Sequence, residues 1–318
     1  MNRLWVTLGL WPVICAMVLA AIAYDARAAS VAGVYWSTTT RSGMDKIQRA
    51  DLQGGNQTDL VVSLTKPRAL AIDKAGNLIF WTDPINSRIQ RANLDGTNVV
   101  DILTAADGLG GPVGLAIDPV ARKMYWTDWT SQKIQRADLD GNNIEDLFTG
   151  AATIVSPRSI ALDPANQQMY WTDQQLGMVR RANMDGSGMI EDIISAGLFK
   201  PRAVALNPGN QKVYWSDVGS DKIERADLNG ANRQDVITGV NAFGLAITGS
   251  GMLYWTENST GKIQRSDLNG NNQEDFITGL NRPFALAVIP LPTSFGAGMT
   301  MLGCMGFVAV RRTWSTRR

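Results

Sequence analysis

The sequence predicts an all-β fold, a six-bladed β-propeller of four-stranded blades whose ring closes by pairing its N- and C-terminal strands. Three observations predict it. First, an aromatic–Trp phrase returns six times, with Trp at 36, 81, 126, 171, 215 and 255, in steps of 45, 45, 45, 44 and 40 residues. Second, each copy carries the same further signals in the same order. Third, the incomplete units at the two ends complement each other. A fixed period in this range marks a repeat architecture, and four short strand-like runs per period is the pattern of a propeller blade.

The first strand of each unit is a Pro-led run: PRALAID from Pro67, PVGLAID from Pro112, PRSIALD from Pro157, PRAVALN from Pro201, AFGLAIT from Ala242 and PFALAVI from Pro283. The second is the aromatic phrase: YWST at 35–38, FWTD at 80–83, YWTD at 125–128 and 170–173, YWSD at 214–217 and YWTE at 254–257. The third follows about ten residues after each Trp, as in Ile134-Gln135-Arg136. An Asp-Gly or Asn-Gly signal comes next, such as Asp140-Gly141 or Asn269-Gly270. These pairs are strong hairpin signals because both residues tolerate positive φ. A short run such as Glu145-Asp146-Leu147-Phe148 supplies the fourth strand. Apolar runs this short, rich in Ile, Val, Tyr and Trp and punctuated by Gly, Pro, Asn and Asp, argue against helix.

At the ends, the first YWST lacks a preceding Pro-led strand and the last Pro-led strand lacks a following YWTD. Residues 283–288 therefore complete the blade whose other strands come from about 33–62. This closure removes long exposed edges.

Adjacent Tyr and Trp point to opposite faces of their strand. Each blade can thus offer one aromatic to each neighbour, and large rings suit the gap between twisted sheets. Trp36, Trp81, Trp126, Trp171, Trp215 and Trp255 are expected to be structural in this sense. The acids Asp83, Asp128, Asp173, Asp217 and Glu257 match Arg91, Arg136, Arg181, Arg225 and Arg265 in number, which suggests ion pairs tying strands or blades. Exposed pairs would contribute about 0–1 kcal/mol each, and breaking a partly buried one would cost on the order of 3 kcal/mol. The first unit keeps Arg49 but has Thr38 in place of the acid, so the latch is expected to be absent there. The phrase Asp138-Leu139-Asp140-Gly141 is too short for an EF-hand calcium loop and reads as a hairpin turn.

These repeats resemble the YWTD (class B) repeats of the low-density lipoprotein receptor family over roughly residues 33–289. The resemblance implies a six-bladed propeller that binds protein partners on one face of the ring.

Both ends carry targeting signals. Residues 1–28 read as a secretory signal peptide: one Arg, an apolar run from Leu4 to Ala23, then Ala26-Arg27-Ala28. An uncleaved anchor is the alternative. Residues 290–318 hold a Pro-containing phrase, an apolar stretch from Phe295 to Val310 and an Arg-rich end. The tail resembles PEP-CTERM sorting signals of the V-P-L-P-A type, with Ile289 inside the opening phrase and Thr293 in place of Ala. That resemblance implies an exosortase-type processing enzyme and surface or matrix delivery. The competing expectation is a membrane anchor through 295–310, although 16 residues are short for a span of about 20.

Composition bounds the chemistry. The two cysteines, Cys15 and Cys304, both lie in the terminal segments, so the propeller itself is free of disulfides. Net charge is +1, which argues against nucleic acid as a partner. The chain has no His, which excludes His-dependent acid–base chemistry and His metal sites. No phosphate loop or nucleophile elbow occurs, and no cofactor is implied. An enzyme is not expected. The enzymatic alternative is a gluconolactonase-like metal-dependent hydrolase or lyase, and the third reading is a matrix component without a discrete ligand.

Alternation of strand direction places the Pro-led strand starts, the loops after YWTD and the connections between blades at one end of the ring. The residues after each Pro then surround the channel mouth: Arg68, Val113, Arg158, Arg202, Phe243 and Phe284, with Trp129 on an adjacent loop. Arg and aromatic residues dominate binding hot spots. The sequence thus points to a secreted or surface-displayed binding module that recognises an extracellular protein or an anionic polysaccharide at this mouth.

Overall fold

The second strand carries the build of the whole ring. Its alternation sends Tyr to one side and Trp to the other, and six apolar clusters form accordingly. Each joins a Tyr or Phe of one blade to the Trp of the next. The pairs are Tyr35 with Trp81, Phe80 with Trp126, Tyr125 with Trp171, Tyr170 with Trp215, Tyr214 with Trp255, and Tyr254 with Trp36. The last returns to the first blade, so the joints close without an exception. All six Trp side chains are fully buried. Sheets stacked on both faces supply the core that no single blade has.

The computed structural model describes residues 32–40, 44–150 and 153–291. They form six antiparallel sheets of four strands each. Blade 1 takes its inner strand from Pro283–Ile289, which pairs with Gly33–Thr38 in the register Val34 to Val288, Tyr35 to Ala287 and Trp36 to Leu286. The inner strands of blades 2 to 6 are Leu70–Asp73, Pro112–Asp118, Pro157–Asp163, Pro201–Asn207 and Ala242–Ile247. The expected closure therefore forms, with the inner strand running one residue further than 288. The predicted signal peptide and, beyond residue 291, the predicted sorting tail lie outside the described residues. Among the described residues, no helix is long and apolar enough to cross a membrane.

The turns between third and fourth strands depart from the two-residue form expected for Asp-Gly. In blade 3, Gly141 donates its N–H to the Asp138 carbonyl and Asp138 donates to the Asn142 carbonyl. Positive φ falls on Gly141 and Asn143 rather than on Asp140 and Gly141. The Gly position is forced twice over, since a Cβ there would lie 2.5 Å from the Ile102 carbonyl oxygen of the previous blade. Asp138 accepts from the Asn143 side chain and Asp140 from the Asn142 N–H, which uses these carboxylates in the turn.

Candidate functional site

All seven residues expected at the mouth line one cavity of about 390 Å³ on the ring axis: Arg68, Val113, Arg158, Arg202, Phe243, Phe284 and Trp129. The cavity also touches Pro84 and Ile85 of the neighbouring loop. The inner strands converge tightly beneath it. A Cβ on Gly114 would sit 2.2 Å from the Arg158 carbonyl oxygen, and one on Gly244 would sit 2.5 Å from that of Phe284.

A relay of hydroxyls fixes the mouth residues, and it comes from the third residue of the YWTD phrase. Thr127 Oγ1 accepts from the Gly114 N–H of its own blade and donates to the Arg158 carbonyl of the next. Thr172 does the same between Ser159 N–H, at 3.2 Å, and the Arg202 carbonyl, at 2.7 Å. Thr256 links Gly244 to Phe284, Thr82 links Ala69 to Val113, and Ser37 links Ala285 to Pro67. The backbone of one mouth residue is therefore held by the blade before it.

The acids of the phrase do not pair with the arginines, contrary to expectation. In the hairpin register Asp128 faces Lys133 and Arg136 faces Tyr125. The two positions are three residues apart along the strand, roughly 10 Å. Asp128 is fully buried and instead accepts from the N–H groups of Gly110, Gly111, Thr130 and Ser131. Asp173 accepts from Val155, Ser156 and Leu176, and Asp217 from Phe199, Lys200 and Gly219. Asp83 binds Asn86 and pairs with Arg88, while Glu257 accepts from the Thr260 hydroxyl. In blades 3 to 5 the acid thus clamps the connection entering the blade to the loop after its second strand, so it shapes the mouth face. In blade 1 a clamp is present despite Thr38: Asp45 accepts from Thr40 N–H and Lys66 N–H.

Four of the five arginines do bridge blades, but to carbonyls; among the described residues Arg91 does not. Arg136 donates to the Met184 carbonyl, Arg181 to Leu228, Arg225 to Leu268 and Arg265 to Leu52. Within their own blades Arg136, Arg181 and Arg265 pair with Glu145, Glu191 and Glu274. Arg49 lies over the Tyr35 ring.

The three mouth arginines are bound to aromatic faces. Arg202 lies over Phe243 at 4.1 Å and Phe284 at 4.8 Å, Arg68 over Phe284 at 4.3 Å, and Arg158 over Trp129 at 4.5 Å. Phe243 and Phe284 meet edge to face at 5.3 Å. Burial, then the charges of Arg68 and Arg158, push Arg202 down to about 9. Burial also lowers Arg68 and Arg158, with Asp45 and Asp173 opposing the effect. At neutral pH all three remain charged. The site is an electropositive, aromatic-walled cavity. Among the described residues, no group of three or more His, Cys, Asp or Glu could hold a metal ion.

Around the cavity the face carries exposed apolar side chains: Ile85, Trp129 and Phe199, 59, 44 and 71% exposed. Of these only Trp129 is expected from the sequence, since nothing local distinguishes an exposed loop Ile or Phe from a buried one.

Comparison with known proteins agrees with this architecture. Residues 77–119, 122–164 and 211–247 match the low-density lipoprotein receptor repeat class B. The chain carries these YWTD repeats in a six-bladed ring. No curated protein matches it. Its structure is similar to a chain in the crystal structure of a nidogen/laminin complex, with a TM-score of 0.74 and 24% identity over 81% of this chain and 98% of that one. It is also similar to TolB from Acinetobacter baumannii, with a TM-score of 0.65 and 14% identity over 81% and 67% of the two chains. At these identities the likeness establishes a shared fold.

Proposed function

We propose that this protein is an exported binding module that recognises an extracellular protein or an anionic polysaccharide with the face that carries the channel mouth, and that it is not an enzyme. One observation carries the reading: three arginines and three aromatic rings, drawn from every blade of the ring, converge on a single ligand-sized cavity. Cavities of this kind, with aromatic and Arg anchors at the centre and apolar residues around them, are where binding energy concentrates. The similar chain from a nidogen/laminin complex comes from a protein–protein assembly, which supports a macromolecular partner.

Export follows from the terminal signals, with the tail either removed by an exosortase-type enzyme or retained as a membrane anchor. Mass spectrometry of both termini in the native host separates these. A body starting near Ala29 and ending near Pro290 means removal, and an intact Arg318 in the membrane fraction means anchoring.

The test of binding uses the Arg158→Ala, Arg202→Ala double variant of the full chain. Wild-type protein is retained on immobilised extracellular protein or polyuronate and the double variant is not, with no loss of melting temperature. Equal retention of both would sink the reading.

A further inference from the structure

Three guanidinium groups line the mouth without a counter-charge. Among the described residues, no salt bridge or side-chain hydrogen bond engages Arg68, Arg158 or Arg202, and the Arg158 Nε is buried without a partner. The two carboxylates that influence them are already committed: Asp45 to Thr40 and Lys66 N–H, and Asp173 to Val155, Ser156 and Leu176 N–H. Arg282 adds a further positive charge near Arg68. What fixes the arginines is aromatic, and a guanidinium resting on ring faces keeps its in-plane donors free. The three arginines are therefore organised in advance around the cavity that they line, with no side-chain acceptor supplied by the protein among the described residues.

We propose that the channel mouth is the receptor for a single carboxylate carried on an organic body, bound by Arg158 and Arg202 with Arg68 supporting. This rests on the binding reading of the same mouth and narrows it. A planar carboxylate matches the guanidinium fork. The wall between the arginines is Phe243, Phe284, Val113 and Trp129, which an organic body can cover and a free inorganic anion would leave in water. Desolvation of the arginines, which is unfavourable in the empty site, is offset when the carboxylate enters.

The test titrates the full chain with three probes at constant ionic strength set by chloride: an N-acetylated, amidated glutamate, galacturonate, and inorganic phosphate. Binding is read by calorimetry and by melting temperature. Glutamate or galacturonate is expected to bind and raise the melting temperature. Arg202→Met, which keeps an apolar chain of similar length, is expected to weaken that binding by roughly ten-fold or more, the loss of one charge-assisted pair. The tighter of the two organic probes identifies an acidic side chain or a sugar acid as the source.

The proposal is overturned if phosphate alone binds, if no probe exceeds chloride, or if Arg202→Met binds as wild type. Should the organic probes fail while the Arg158→Ala, Arg202→Ala variant still loses retention on immobilised partner, the carboxylate assignment falls and the binding face stands.

Discussion

Replacing Arg180 by Gln should leave stability close to that of the wild type, whereas the opposite exchange, Gln135→Arg, should lower it. Five of the six core Trp residues donate their indole N–H to a third-strand side chain: Trp36 to Gln48, Trp81 to Gln90, Trp126 to Gln135, Trp215 to Glu224 and Trp255 to Gln264, at 2.9–3.1 Å. In blade 4 the partner position holds Arg180, which has no acceptor to offer, and the buried Trp171 Nε1 is left without a partner. An unsatisfied buried donor costs about 1–3 kcal/mol. A glutamine introduced there would accept from Trp171 and donate to Asp192, as Gln135 does to Asp146. The change gives up the Arg180–Asp192 ion pair, whose acid is more than a third exposed, and the bond from Arg180 to the Thr153 carbonyl. The first contributes about 0–1 kcal/mol and the second, with its charged donor, about 1.5–3 kcal/mol, and the guanidinium also leaves the Trp171 ring, 5.9 Å away. Gain and loss are then of similar size, and the net change should stay within about 1 kcal/mol of zero, or roughly 2–4 °C in melting temperature for a domain of this size. The reciprocal change, Gln135→Arg, should cost about 1–3 kcal/mol by orphaning Trp126. Chemical denaturation of both variants against wild type measures the pair. A loss for Arg180→Gln of about 1–3 kcal/mol together with an unchanged midpoint for Gln135→Arg would refute the idea that the indole bond matters.

Thr172→Val removes the hydroxyl between Ser159 N–H and the Arg202 carbonyl, and should cost about 1–3 kcal/mol in urea unfolding because two interior groups lose their partner. Asp45→Ala should destabilise by a similar order, about 1–3 kcal/mol, since Asp45 is buried and supplies the clamp that Thr38 cannot; a neutral result in thermal unfolding would show that blade 1 needs no clamp. Arg202 binds its proton less tightly folded than unfolded, so from about 9 up to the ordinary arginine range the unfolded chain holds more protons and stability rises with pH. Below about 9 its burial opposes folding, so Arg202→Met should be more stable than wild type at pH 7, and that advantage should shrink at pH 10.5 when the two are unfolded side by side.

Period and phrase made the ring legible, because a repeat writes the same joint six times and a single strand's alternation assigns Tyr and Trp to opposite neighbours. The mouth residues were legible for the same reason: each of the six on the inner runs sits one place after the residue that opens its run. What the sequence concealed was partner choice. Asp128 and Arg136 recur together, and recurrence alone cannot tell an ion pair from two separate backbone contacts. Counting the antiparallel register from Trp126 opposite Gln135 would have separated them. The Thr of YWTD carries no signal beside its large neighbours, yet its hydroxyl reaches into the next blade. Asp45 escaped because it takes up the role of position 38 from another strand, which only three dimensions reveal. The aromatic anchoring of Arg68, Arg158 and Arg202 joins residues from different repeats, and no local pattern encodes it.

The strand that completes blade 1 is the last of the ring to be synthesised. Until residues 283–289 are available, the strand Gly33–Thr38 has one side unpaired, and the indole of Trp36 lacks Leu286 beside it. Ala285 N–H bonds Ser37 across 248 residues of sequence, and Arg265 reaches the Leu52 carbonyl across 213. Five blades can zip from neighbour to neighbour, but the circle is locked only by contacts of the longest possible range, which form slowly. A chain emerging end-first from a ribosome or a translocon therefore passes through an open arc with a raw β edge, the kind of edge that recruits other strands. Closure of the ring accordingly waits on the strand Pro283–Ile289, the one step that the other five blades cannot hasten.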